Sequence, residues 1–232
     1  MNLKLLGYLV VISWASTLVA GDKAFSSDNF FIKSGYVARK SYTHFDDSCL
    51  RDEFQNEIYS TANKIVREHD FKKIADVGCG SGFKLLKFFS DCATTGFEIT
   101  PTWKFLKKTY PDRKWVLSDF SKVPEDKAFD VMICSDVIEH LVNPDDLLNW
   151  LDKLDFSYLV ISTPDRDILV NVWPEARHKL QNNSGPPVNL AHVREWNFAE
   201  FETYISQYFN VVDHFNCISE KHGQVIIAIK KT

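Results

Sequence analysis

The clearest chemistry in the chain lies in the run Asp76-Val77-Gly78-Cys79-Gly80-Ser81-Gly82. Its glycines follow an apolar stretch that reads as a strand, Ile74 to Val77, and precede a helical pattern, Phe83 to Phe89. Glycine lets the backbone turn sharply and approach a ligand closely. The helix that follows offers free N–H groups and a positive dipole end. The nicotinamide fingerprint Gly-x-Gly-x-x-Gly is not met, because Phe83 stands where its last glycine would fall. Asp76, two places before the first glycine, suits a ligand with an ammonium group and would repel a pyrophosphate. Three further strand ends carry polar groups. Glu98 lies 22 residues after Asp76 and can accept hydrogen bonds from both hydroxyls of a ribose. Asp119, with Phe120 beside it, offers an acceptor for an exocyclic amine and a ring face for a base. Ser135-Asp136 closes the fourth strand.

These residues need elements to hold them, and the patterning supplies a sheet. Phe54, Ile58, Ala62, Ile65 and Val66 recur at helical spacing and predict an amphipathic helix over 52–69. Strands are then predicted at 74–77, 93–98, 114–117, 129–134 and 158–162, with helices at 83–89, 103–110 and 145–154 between them. An irregular stretch, 165–196, contains Gly185-Pro186-Pro187. A helix over 198–208 and two strands, 211–218 and 224–229, complete the chain. Strand–helix alternation means a mainly parallel sheet with helices on both faces. The link between the last two strands is too short for a parallel crossover, so they form an antiparallel pair. The organisation read from this is a segment 1–21, a lead-in over 22–51 that packs on the domain or covers its site, and one α/β domain over 52–232.

The arrangement resembles the class I methyltransferase family. The matching pieces are Ile74 to Gly82, Gly96-Phe97-Glu98, Ser118-Asp119-Phe120, the run Phe129 to Leu141, and the closing hairpin. The resemblance covers about residues 52–232. It implies a seven-stranded Rossmann-like sheet, mostly parallel with an antiparallel last strand, and S-adenosylmethionine as cofactor. It assigns Asp76, Gly78 and Gly80, in a loop with Cys79 and Gly82, to the methionine moiety. It assigns Glu98 to the ribose and Asp119 with Phe120 to the adenine, with Ser135 at the neighbouring strand end.

A sulfonium methyl is already activated, so alignment does much of the work, and an oxygen acceptor also needs its proton removed. His192, His140 and Asp165 are the candidate bases. His192 lies in Asn189-Leu190-Ala191-His192-Val193-Arg194-Glu195-Trp196, where the family builds its acceptor pocket. Glu139 and His140 read first as residues that cap and orient the segment after the fourth strand. Some ubiquinone-type O-methyltransferases hold a divalent metal with a related acidic-His segment, whose positions here would be Asp136, Glu139 and His140. No metal site is assigned from the sequence.

Composition narrows the partners. The net charge is −4 and no long basic run occurs; the densest cluster, Lys104 to Lys114, is interrupted by Phe105, Leu106, Tyr110 and Asp112. This predicts a small-molecule or glycan acceptor and no nucleic-acid partner. The five cysteines, without a Cys-x-x-Cys pair, read as small buried thiols. Lys4 followed by the uncharged Leu5 to Ala20 and by Val19-Ala20-Gly21 has the layout of a secretory signal peptide or signal anchor. It predicts the secretory pathway or membrane association through residues 1–21, with a cytoplasmic chain as the alternative. On that reading Asn182-Asn183-Ser184 is a glycosylation sequon. The competing functional reading is a secreted binding protein on a methyltransferase scaffold, since S-adenosylmethionine is made in the cytosol. Intact Asp76, Glu98 and Asp119 argue against it.

Overall fold

The computed structural model describes residues 29–41, 43, 45–52, 54–172, 184–219 and 223–231. The expected signal segment and the first two residues of the sequon lie outside these. Among the described residues no helix is long and apolar enough to cross a membrane.

Seven strands form one sheet: β1 Lys73–Val77, β2 Ala93–Glu98, β3 Lys114–Leu117, β4 Ala128–Ser135, β5 Asp155–Pro164, β6 Phe209–Asn216 and β7 Gly223–Lys230. Their order is β3-β2-β1-β4-β5-β7-β6. The pairs β1–β2, β1–β4, β2–β3 and β4–β5 are parallel, while β7 runs antiparallel to both β5 and β6. The central strands are apolar on both faces, as a sheet covered by helices on each side requires. Successive residues feed opposite cores. Ala75, Met132, Cys134, Leu159 and Ile161 join one cluster, and Ile74, Val131, Ile133 and Val160 join the other.

Helices α1 Asn56–Glu68, α2 Phe83–Phe88, α3 Thr102–Thr109, α4 Pro144–Asp152, α5 Arg166–Val172 and α6 Phe198–Ile205 cover the sheet. α1 buries Ile58, Tyr59, Ala62, Ile65 and Val66, the stripe its spacing predicts. α6 opens with a capping box between Asn197 and Glu200. α5 falls inside the stretch expected to be irregular. Asp165 starts it by accepting the Asp167 N–H at 2.9 Å, and its seven residues are too few to give a periodic signal. Cys79, Cys92, Cys134 and Cys217 are buried and unbridged, and Cys49 is exposed.

The lead-in docks onto the far part of the chain. Ile32 enters the core, the Trp196 indole donates to the Phe30 carbonyl at 2.9 Å, and the Tyr36 hydroxyl accepts the Glu195 N–H at 2.9 Å. The Lys33 N–H donates to Glu200, which also forms a fully buried ion pair with Arg166 at 2.7 Å. Residues 45–52 then cross the carboxyl ends of the strands. Ser81 donates to the Leu50 carbonyl at 2.5 Å, Lys84 to the Arg51 carbonyl at 3.1 Å, and Lys87 pairs with Asp52 at 2.8 Å. This strap fixes the lead-in over the glycine loop.

Candidate active site

The site occupies the carboxyl ends of β1, β2, β4 and β5, where strand order reverses between β1 and β4. Gly78, Gly80 and Gly82 all have positive φ, +68°, +53° and +71°, a conformation glycine adopts without steric cost. A β-carbon on Gly78 would collide with Val137 and one on Gly80 with the Asp47 carboxylate, so both positions need glycine for space as well. Gly82 serves packing instead: its β-carbon would stand 2.8 Å from the Trp115 ring. Cys79 is buried beneath the loop, and its N–H, like that of Gly78, points to the Phe97 carbonyl, at 3.4 and 2.9 Å.

Asp76 is fully buried. Its Oδ2 accepts the Tyr59 hydroxyl of α1 at 2.7 Å, while its Oδ1 is buried without a hydrogen-bond partner. Burial pushes its pKa up to about 7, and the negative charges of Glu98 and Asp47 add to the rise. The Glu98 carboxylate spans the loop and its own strand end. Oε1 accepts the Gly80 N–H at 3.1 Å and Oε2 the Ile99 N–H at 2.7 Å. Burial, aided by Asp47, raises Glu98 to about 7 as well.

A cleft of about 740 Å³ is lined by Gly78, Phe97, Glu98, Ile99, Ser118, Phe120, Asp136, Val137, His140 and Leu141, with Phe45 and Asp47 of the strap above. Phe120 reaches the cleft because it takes a left-handed φ of +67° and leans on Trp150 with ring centroids 5.5 Å apart. Asp119 does not line the cleft. It is exposed, and its carboxylate accepts the Ser121 N–H at 3.0 Å and hydroxyl at 2.5 Å. Ser118 lines the cleft in its place.

A second cavity of about 1070 Å³ shares Phe45, Asp47, Gly78, Asp136 and His140 with the first and runs on past Ser135, Glu139, Leu169 and Asn189 to His192. Asp136 also has a positive φ, +53°. Ser162 donates to its Oδ1 at 2.8 Å and Gln55 to its Oδ2 at 3.0 Å. Ser135 is buried, with its hydroxyl against that of Ser162 at 3.1 Å. Asp165 lines neither cavity and serves α5.

Glu139, His140 and His192 come together here, with one possible ligand atom from each within 4.8 Å of the others. The Val193 N–H donates to the Glu139 carbonyl at 2.8 Å and joins the two segments. Glu139 is fully buried; its Oε2 accepts the Thr163 hydroxyl at 3.1 Å and its Oε1 has no hydrogen-bond partner. Burial, with Asp136 beside it, holds its pKa well above the usual carboxylate range. His140 Nδ1 lies 2.9 Å from the Ala191 carbonyl, which can only accept, so Nδ1 carries a proton and Nε2 is the atom turned toward Glu139 Oε1, 3.9 Å away. His192 Nδ1 is 2.7 Å from the Glu195 carboxylate and Nε2 is 2.9 Å from Asn189. The rings meet edge to face at 5.0 Å. A carboxylate with two imidazoles, each oriented by a further hydrogen bond, suits a divalent first-row cation. A buried carboxylate oxygen with no donor is costly, and such a cation would offset that cost. The local sequence suggested Asp136, Glu139 and His140 as a possible set, and His192 joins them only through the fold. Asp47, Phe45, Gln55 and Tyr59 lie upstream of every motif; the first two fall in the lead-in expected to pack on the domain or cover its site and the last two in the expected helix 52–69, but none was singled out as a site residue.

The profile of a methyltransferase domain family matches residues 53–214. Two curated relatives bear the name small RNA 2'-O-methyltransferase. The rat protein is 29% identical over 192 residues, covering 71% of this chain and 45% of the relative. The mouse protein is 30% identical over 173 residues, covering 63% and 40%. The chain thus spans less than half the length of these relatives. Among solved structures, magnesium protoporphyrin IX methyltransferase from Synechocystis, with bound S-adenosylhomocysteine, aligns with a TM-score of 0.58. It is 12% identical over 75% of this chain and 83% of that one. The names of the curated relatives run against the expectation of no nucleic-acid partner.

Proposed function

The chain belongs to the methyltransferase domain family and is an S-adenosylmethionine-dependent methyltransferase, and from that premise we propose that its acceptor is the 2'-hydroxyl of an RNA ribose. The observation that carries this reading is the Glu139–His140–His192 group, which opens onto a cavity sharing Gly78 and Asp136 with the cofactor cleft. A hydroxyl is a poor nucleophile until its proton is withdrawn, and the group stands where an acceptor would enter. The curated relatives, named for methylation of the ribose 2'-oxygen of small RNA, favour RNA over a free sugar or glycan.

The residues divide the work. Gly78 and Gly80 allow the cofactor against the backbone, Asp76 faces its ammonium, Glu98 its ribose hydroxyls and Phe120 its adenine. The acceptor oxygen forms a bond to the methyl carbon as the carbon–sulfur bond breaks, leaving a neutral thioether and a proton to be removed. Glu139, His140 and His192 would hold a divalent cation, which when bound would supply Lewis-acid chemistry that eases loss of the hydroxyl proton to solvent water. Ala191 and Glu195 orient the two imidazoles through Nδ1, and His192 Nε2, which accepts the Asn189 amide in the free protein, would exchange that partner for the cation.

The test uses labelled S-adenosylmethionine with a short single-stranded RNA, its all-deoxy counterpart, and a panel of nucleosides and sugars, each with manganese chloride or EDTA. Digestion to nucleosides should return label as 2'-O-methylnucleoside from RNA, lost with EDTA and absent from the deoxy strand. Label on small acceptors alone, or on RNA bases, would overturn the assignment.

A further inference from the structure

The cofactor residues described so far lie within the matched domain, yet one carboxylate over the glycine loop comes from outside it. Asp47 belongs to the strap, upstream of residues 53–214. It lines both cavities, and its carboxylate packs so closely on Gly80 that a β-carbon there would overlap it. The strap is built to hold that position. The Leu50 N–H donates to the Asp47 carbonyl at 2.9 Å, closing a turn, and Ser81 of the loop itself binds the Leu50 carbonyl. Beneath Asp47 lies Asp76, fully buried, with one oxygen that has no partner. Asp47 and Glu98 thus line one end of the cleft with Asp76 buried behind the glycine loop, and the charge of Asp47 raises the proton affinity of both Asp76 and Glu98. An acidic pocket of this kind is satisfied by a cation that donates hydrogen bonds. The methionine end of the cofactor carries such a cation, its α-ammonium.

We infer that Asp47 is a cofactor-binding residue: its carboxylate closes over the glycine loop and, with Asp76, binds the α-ammonium of S-adenosylmethionine. The strap is thus a part of the cofactor site that the sequence places outside the domain. The proposal rests on cofactor use and is independent of the acceptor.

The experiment is calorimetric titration of wild type and Asp47→Asn with three ligands. S-adenosylmethionine and S-adenosylhomocysteine carry the ammonium, and 5'-methylthioadenosine keeps the adenosine but lacks the amino-acid end. Loss of one charge-assisted contact should weaken the first two by roughly ten- to a hundredfold and leave methylthioadenosine within about twofold. Equal weakening of all three would make Asp47 a general wall of the cleft and overturn the inference. Unchanged or tighter binding of S-adenosylmethionine would overturn it too, the tighter result marking Asp47 as an obstruction. Amide exchange across residues 47–52 of the wild type provides a readout that does not depend on a variant. Exchange should slow with the two ammonium-bearing ligands and not with methylthioadenosine, and equal slowing by all three would refute the contact.

Discussion

Glu98→Ala is the sharpest perturbation of the cofactor cleft. Each Glu98 oxygen already accepts one backbone N–H, from Gly80 at 3.1 Å and Ile99 at 2.7 Å. A carboxylate oxygen has two lone pairs, so one remains on each oxygen for a ribose hydroxyl. Alanine removes both acceptors and releases the Gly80 amide that shapes the loop. A hydrogen bond to a charged group contributes about 1.5–3 kcal/mol, and the two share one carboxylate. A combined loss of about 3 kcal/mol corresponds to roughly a hundredfold rise in Kd for S-adenosylmethionine. Glu98→Gln keeps one acceptor but turns an NH2 toward one of the amides, and a loss of about tenfold is expected. The pH dependence checks the same point. Burial raises Glu98 and Asp76 to about 7 in the free protein, and a cationic, hydroxyl-bearing ligand needs both ionised. Affinity should therefore rise with pH up to about 7 and level off above it, the two groups titrating as a pair. In Glu98→Gln the slope should fall to that of Asp76 alone. Calorimetric titration between pH 5.5 and 8.5 measures both effects. A Kd within twofold of wild type for the alanine variant, or an unchanged slope for the glutamine variant, would refute the placement.

Tyr59→Phe removes the hydroxyl donated to Asp76 and should cost about 1–3 kcal/mol of stability above pH 7. Because the folded pKa of Asp76 is raised, wild-type stability falls as pH climbs from the ordinary carboxylate range to about 7. The variant should keep falling beyond that pH in thermal melts, and parallel curves would sink the idea. Glu139→Gln replaces a buried carboxylate that has an unpartnered oxygen, so the metal-free Tm should hold or rise. The stabilisation by manganese, about 2.7 kcal/mol at a hundredfold excess over Kd in the wild type, should vanish, and a lower metal-free Tm would contradict the account. Arg166→Leu strands the fully buried Glu200 and should cost about 3–5 kcal/mol in urea denaturation, with a loss below 1 kcal/mol counting against the lead-in being anchored there.

The sheet was legible because its central strands are short apolar runs closed by polar residues, and each run recurs in the structure within three residues of its expected bounds. The glycine loop was legible for a related reason: all three glycines are required by φ, by space or by both. Asp119 stands apart from the cleft by a turn. β3 stops at Leu117, and the left-handed Phe120 swings the ring inward and leaves the carboxylate outside. Residue types in sequence do not reveal which of two neighbours faces a cleft once the strand has ended. The meeting of His192 with Glu139 and His140 was hidden by sequence distance, since only the return of the chain past β5 brings the Val193 N–H to the Glu139 carbonyl. Asp47 was hidden differently: the Asp46-Asp47 pair in a mixed segment carries no period and no motif.

The topology explains why the two halves of the site have different chemistry. The strands on one side of the reversal, β1 and β2, end in Asp76 and Glu98, groups that can only accept from or attract a cationic, hydroxyl-bearing ligand. On the other side, β4 ends in Asp136 and continues at once into Glu139 and His140. On the proposed reading the cofactor would lie across the first set and the acceptor against the second. Methyl transfer requires the reacting atoms to come within about 3–3.5 Å. The donor methyl must therefore sit where the two cavities merge, beside the residues that line both. Of the two imidazoles only His140 lines both cavities. Its Nδ1 is committed to the Ala191 carbonyl, so it can present only Nε2 to that junction. His192 lies deeper along the acceptor cavity, with Asn189 and Glu195 fixing its ring. Loss of His140 should therefore disturb the reacting atoms directly, and loss of His192 should act through the cation that it would hold with Glu139 and His140.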